Sequence, residues 1–130
     1  MLSENTIPFL REEAKDGYSI FLIGKETDER ITEYINMLKL NLPFISEITS
    51  LPPLARNLEE RTLCIINLKD FEKEGGKHGK YIELPPTLTD MLCMVRQKQL
   101  FVIVTYHRMN YAIKHLCNRI WDFNQIPIEN

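Results

Sequence analysis

The chain has 130 residues, 44% of them apolar and 26% charged, with a net charge of -2 and a pI near 5.9. This is the composition of one soluble globular domain with a single core, and the acidic balance argues against a broad nucleic-acid-binding face. No apolar stretch nears the roughly 18 residues of a membrane span, and the start, Met1 to Thr6, lacks the basic and apolar pattern of a secretory signal.

Residues 7–16 read as a short helix, with Pro8 suited to its first turn and Gly17 to a left-handed stop. Tyr18–Ile23 is apolar throughout and reads as a strand buried on both faces. Thr27 is expected to cap the next helix, whose stripe is Ile31, Tyr34, Ile35 and Leu38, and Pro43 stops it. Phe44–Thr49 is a short strand, ended by Pro52-Pro53, and 54–60 is a helical turn.

Leu63–Leu68 is the next buried strand. The segment 70–80, with its Gly75-Gly76-Lys77-His78-Gly79-Lys80 run, reads as a flexible basic loop, followed by an edge strand at Tyr81–Leu84. Thr87 is expected to cap a helix with Leu88, Met91, Leu92 and Val95 on its buried stripe, and Asp90 stands in a capping-box-like place. Leu100–Thr105 is a strand. Asn110 caps a last helix that carries Ile113, Leu116, Cys117, Ile120 and Trp121. Gln125–Glu129 is a candidate last strand, placed at an edge by Pro127.

Alternating strands and helices predict an α/β fold. It is a three-layer domain over residues 1–130, with a mostly parallel sheet of four to five strands and helices on both faces. Residues 1–16 form its N-terminal helical segment. Cys64, Cys93 and Cys117 are odd in number and lie in apolar surroundings, which reads as reduced, buried thiols in a cytoplasmic protein.

Three apolar runs end in polar clusters, at 24–28, at 67–70 and at 105–108, and ligands of open α/β sheets bind beyond such strand ends. Lys25, Thr27, Asp70, His107 and Arg108 are therefore the candidate ligand-binding residues. Gly24-Lys25 does not make a phosphate loop: the glycine that should stand five residues earlier is Ser19, inside the strand. Helix N-termini attract phosphate, but this loop is too short to make a cradle and Glu26, Asp28 and Glu29 repel an anion; the ordinary explanation is a tight strand-to-helix turn into a capped helix. Asp70 has the position of a metal- or phosphate-binding aspartate; its ordinary explanation is a solvated loop acid. His107 beside Arg108 suits an anion site or acid–base work, and the same polar residues also serve simply to end a strand.

Tyr111, Lys114 and Arg119 form a second polar face on the last helix. They are candidates for a protein interface or, with Arg108, for a small basic patch, where the common explanation is a solvated face. His115 and Cys117 point apart on a helix, so no metal is expected, no cofactor is expected, and no catalytic constellation is complete.

The segment from Leu63 to Phe123 resembles the second half of a P-loop NTPase core of the RecA-like or AAA+ type. Leu63–Asp70 resembles its acid-bearing strand, Leu100–Arg108 its sensor strand, and Tyr18–Thr27 stands where the phosphate loop belongs. Asn67 occupies the place of the family's metal-binding Asp, and the glycine-rich loop is missing. The pattern of elements resembles a generic Rossmann-like domain equally. The P-loop resemblance implies a degenerate member that has lost ATP hydrolysis and keeps the fold as a scaffold.

Three functions follow as expectations. The first is a non-catalytic interaction or adaptor module in a larger assembly, partnered by other protein subunits or by a second copy through an edge strand. The second is a nucleotide- or anion-binding regulatory domain that uses the sheet edge. The third is an accessory factor in nucleic-acid transactions, which the net charge does not favour.

Overall fold

The computed structural model describes residues 6–127 apart from His78. Among the described residues, seven strands and five α-helices follow one another in the order α1 Thr6–Glu13, β1 Tyr18–Ile23, α2 Glu29–Asn41, β2 Ser46–Ile48, β3 Thr62–Asn67, β4 Glu72–Gly76, β5 Gly79–Ile82, α3 Pro86–Cys93, α4 Val95–Lys98, β6 Phe101–Tyr106, α5 Tyr111–Leu116 and β7 Arg119–Asp122. Five strands make one parallel sheet in the order β2-β3-β6-β1-β7, and β4 pairs with β5 in a separate antiparallel hairpin.

Strand alternation divides the core into two layers. Tyr18, Ile20, Leu22, Leu63, Phe101 and Ile103 face one side and pack with Leu10 of α1, Ala14 just after it and Leu38 of α2. Phe21, Ile23, Cys64, Ile66, Val102 and Val104 face the other and pack with Leu88 and Met91 of α3, Val95 of α4 and Ile113 of α5. The fold is thus a three-layer α/β sandwich, and the strands apolar on both faces lie in the middle of the sheet. Among the described residues, no helix is long and apolar enough to cross a membrane.

Gly17 ends the α1 connection at φ +108°, and a Cβ there would come within 2.4 Å of the Val95 carbonyl oxygen. Two constraints meet at this residue: a left-handed backbone and a close approach to α4.

Several elements depart from the sequence expectation. Helix α1 stops at Glu13, short of residue 16. Asp28, not Thr27, caps α2, accepting from the Arg30 amide. Pro85 stands at the N-cap of α3, and the Thr87 hydroxyl instead donates to the Pro53 carbonyl. The segment 70–80 is not a loop: most of it is the β4–β5 hairpin, which also takes in the first part of the expected edge strand at Tyr81–Leu84. His78, in the basic run, lies outside the described residues.

The last helix ends at Leu116, and residues 119–122, expected to continue it, are strand β7. The reason is the open side of β1. All six residues of β1 are buried, so its outward backbone groups need partners, and β7 supplies them in parallel register from Ile20–Arg119 to Ile23–Asp122. Asn118 starts this pairing by donating its amide to Ser19 Oγ and accepting from the Ser19 amide at 3.2 Å. Of the expected last strand at Gln125–Glu129, Gln125 ends a 3-10 turn over Phe123–Gln125 and residues 126–127 are not in a strand; residues 128 and 129 lie outside the described part. Cys93 is exposed rather than buried.

Candidate functional site

Helix α2, which follows β1, lies on one face of the sheet, and α5, which follows β6, lies on the other. Since β1 and β6 are neighbours, the chain leaves the sheet in opposite directions at their carboxyl ends. That divergence opens a crevice, the place where ligands of open α/β sheets bind. The Gly24 amide donates to the Tyr106 carbonyl at 2.9 Å, carrying the β1–β6 pairing one residue past the strand. A Cβ on Gly24 would lie 2.6 Å from Ile31 Cδ1, so glycine lets α2 start close against the strand end.

Two open hollows of about 380 and 670 Å³ occupy this crevice and share Lys25, Glu26, Lys69, Tyr106 and His107. The inner one is completed by Ile31, Thr32 and Ile35 of α2 and by Asn67 and Thr105 at the strand ends. The outer one is completed by Thr27, Glu72, Gly79, Lys80 and Arg108. Of the five ligand-binding residues expected from sequence, Lys25, Thr27, His107 and Arg108 come together here. Asp70 is exposed in the 3-10 turn after β3 and does not line either hollow; Lys69 does.

The charges around the crevice are unevenly matched. Glu26 pairs with Lys69 at 2.8 Å, and that contact raises the lysine's pKa. Glu72 accepts from the Tyr106 hydroxyl at 2.9 Å and lies 3.6 Å from Lys80 Nζ; the Tyr106 bond chiefly holds its carboxyl below the usual range. Burial first, and then the same bond, raises the phenol of Tyr106. Arg108 donates to the Lys80 carbonyl at 3.2 Å and lies 5.7 Å from the centre of the Tyr106 ring. Among the described residues, no carboxylate forms an ion pair with Lys25 or Arg108.

The N-terminus of α2, the place a phosphate loop would use, holds an internal anion. Asp28 Oδ1 accepts from the Arg30 amide at 3.0 Å, and its carboxylate is gripped by Arg30 Nε and by Nη2, the latter at 2.7 Å. The hydrogen bond from Arg30 holds the Asp28 carboxyl below its usual range. Arg30 also donates to the carbonyls of Phe123 and Ile126, at 3.0 and 2.9 Å, so the same guanidinium ties α2 to the segment after β7.

Tyr111 and Lys114 lie on α5, but Arg119 does not share their helix. Arg119 stands at the start of β7, level with Ile20, and pairs with Glu13 of α1, while Arg108 lies beyond the far end of β6. Lys114 lies 5.7 Å from the centre of the Tyr111 ring on α5. Among the described residues, no cluster of three His, Cys, Asp or Glu groups is placed to hold a metal ion.

Sequence reasoning missed Lys69, Glu72 and Lys80. Lys69 carried a signal, since it stands two residues past β3 in the polar cluster 67–70. Lys80 carried one in the basic run 75–80, which leaves the same sheet edge; Glu72 carried none, because its place depends on how the hairpin folds back. No protein-family model matches the chain, and no curated protein matches it.

Proposed function

We propose that this protein is a non-catalytic regulatory module that binds a phosphate-bearing anion in the crevice between β1 and β6 and acts within a larger assembly. The observation that carries the reading is the convergence of Lys25 and Arg108, neither in an ion pair among the described residues, beside His107 at the sheet's switch point. Guanidinium and ammonium groups held on a rigid sheet edge are suited to phosphate oxygens.

A degenerate P-loop relationship agrees with this reading. The strand that resembles a sensor strand, β6, lies between β1 and the strand that resembles the acid-bearing one, β3. The order differs from the 3-2-1-4-5-6 of dinucleotide-binding sheets. Asn67 at the metal position and Asp28 at the α2 N-terminus support a binding role over hydrolysis. Three free cysteines fit a reducing, cytoplasmic setting.

The test is a thermal-shift panel of nucleotides, cyclic dinucleotides and inorganic phosphates. A shift of several degrees that is lost in Lys25→Ala and in Arg108→Ala supports the reading. A flat panel at about 1 mM ligand rejects it.

A docking role has its own observation. Leu40 is 84% exposed and Ile45 75% exposed, on either side in sequence of the turn from α2 into edge strand β2, and Lys39 pairs with Glu47 across that turn at 2.8 Å. An exposed strand edge flanked by apolar side chains suits pairing with a second copy. Light scattering that finds a dimer, reduced to monomer by Leu40→Lys with Ile45→Lys, supports self-association there; a monomer at every concentration rejects it.

A further inference from the structure

We infer that the two hollows are filled by one ligand, a phosphorylated ring compound of nucleotide size, with its phosphates in the outer hollow and its ring in the inner one. The inference rests on the anion-binding reading and specifies what the anion is attached to.

The two hollows differ in chemistry. The outer one brings Lys25, Lys80, His107 and Arg108 around an open space of about 670 Å³. The Glu72 carboxylate in its wall already accepts from Tyr106 and lies against Lys80. Arg108 is steadied by the Lys80 carbonyl and the Tyr106 ring, so ordering it on a phosphate loses little side-chain freedom.

The inner hollow is a poor place for a bare anion. Ile31 and Ile35, one helical turn apart on α2, give it an aliphatic wall. Its acids are occupied: Asp28 by Arg30, and Glu26 by Lys69. Beside Lys25, Lys69, Tyr106 and His107, which it shares with the outer hollow, its neutral polar groups are Thr32, Asn67 and Thr105. The Asn67 Oδ1 accepts from the Lys69 amide at 3.0 Å, which leaves the amide Nδ2 to donate. An aliphatic wall facing a neutral donor and a hydroxyl matches a flat ring with hydrogen-bonding edges. The volume, about 380 Å³, is within the range of small-molecule sites.

The proposed placement differs from that of a phosphate loop. With the Asp28 carboxylate already seated at the first turn of α2, a ligand phosphate there would meet a like charge. The phosphates are driven toward Arg108 and Lys80 on the other side of Lys25. The ring then lies under α2, since Lys25 and His107 border both hollows.

The experiment measures binding of ADP, UDP and inorganic pyrophosphate to the intact protein by calorimetry at one ionic strength. It uses wild type, Thr32→Trp and Arg108→Ala, with melting curves to confirm folding. Thr32 is exposed and borders only the inner hollow, so tryptophan there fills the proposed ring site without entering the core. The better of the two nucleotides is expected to bind about tenfold more tightly than pyrophosphate, the worth of burying part of a ring. Thr32→Trp should remove that advantage and leave pyrophosphate within about twofold, while Arg108→Ala weakens both classes by about tenfold. Equal binding of pyrophosphate and both nucleotides, unchanged by Thr32→Trp, overturns the two-part ligand and leaves the anion site standing. Failure of all three probes to bind at about 1 mM overturns both.

Discussion

The hydroxyl of Tyr106, the last residue of β6, donates to Glu72, the first residue of β4, across 2.9 Å. This bond joins the central sheet to a hairpin that shares no strand pairing with it. Through it, and through the Arg108 contact with the Lys80 carbonyl, the hairpin becomes a wall of the crevice.

Tyr106→Phe removes the donor and leaves the ring. Exchange of the β4 and β5 amides should quicken by about fivefold, with little change in melting temperature, because the hairpin adds little to the core. The effect has a definite pH dependence. The Glu72 carboxyl is held below its ordinary value of 4.5 in the folded protein, so the tie is fully present above that pH and is lost as pH falls through the folded value. Wild type and variant should therefore converge in acid, as read by hydrogen exchange with mass spectrometry.

Asp28→Ala deletes the cap of α2 and frees Arg30 from its side-chain partner. A lost N-cap costs about 1 kcal/mol, here a drop in melting temperature of roughly 3–5 °C. The folded Asp28 carboxyl lies below its ordinary value of 3.8, so its stabilisation is complete above that pH and vanishes as pH falls through the lower, folded value. Melting curves across the acid range should show the gap between Asp28→Ala and wild type closing there. A gap that persists in strong acid would mean the carboxylate is not its source.

Gly17→Ala forces an L side chain into φ +108° and drives its Cβ to 2.4 Å from the Val95 carbonyl oxygen. Backbone cannot retreat as a side-chain tip can, so a loss of ~2 kcal/mol or more is expected in denaturant unfolding. Gly24→Ala meets only the end of the Ile31 side chain at that range and should be milder.

Thiol labelling should count the cysteines in two steps. Burial pushes the Cys64 and Cys117 thiols up to about 12, which keeps them protonated and slow. Cys93 is exposed. In the native protein at about pH 8, one of the three thiols should react rapidly with a disulfide reagent, and all three in denaturant. Cys93→Ser should abolish the fast phase.

Strands β1, β3 and β6 were readable to within a residue, and Asn110 was readable as a helix cap that accepts from the Ile113 amide. The reason is local: a strand buried on both faces must be apolar at every position, and that pattern needs no knowledge of its partners. The same logic located the crevice, because polar residues must begin where such strands leave the sheet. It brought Lys25, Thr27, His107 and Arg108 forward together. It misjudged Asp70, since a turn of one residue decides whether Lys69 or Asp70 faces the hollow.

What the amino-acid sequence determined by itself was the layered α/β class, the three central strands and the polar edge that follows them. Tertiary structure alone decided β7, the hairpin and the pairing of charges around the crevice. Residues 119–122 carry a helical apolar stripe, and they become a strand because the buried β1 has unpaired backbone on one side. The run from Glu72 to Lys80 looks like a solvated loop until Tyr106 and Arg108, about 30 residues further on, hold it down. In both places the deciding partner is distant in the chain, and local pattern carries no information about it.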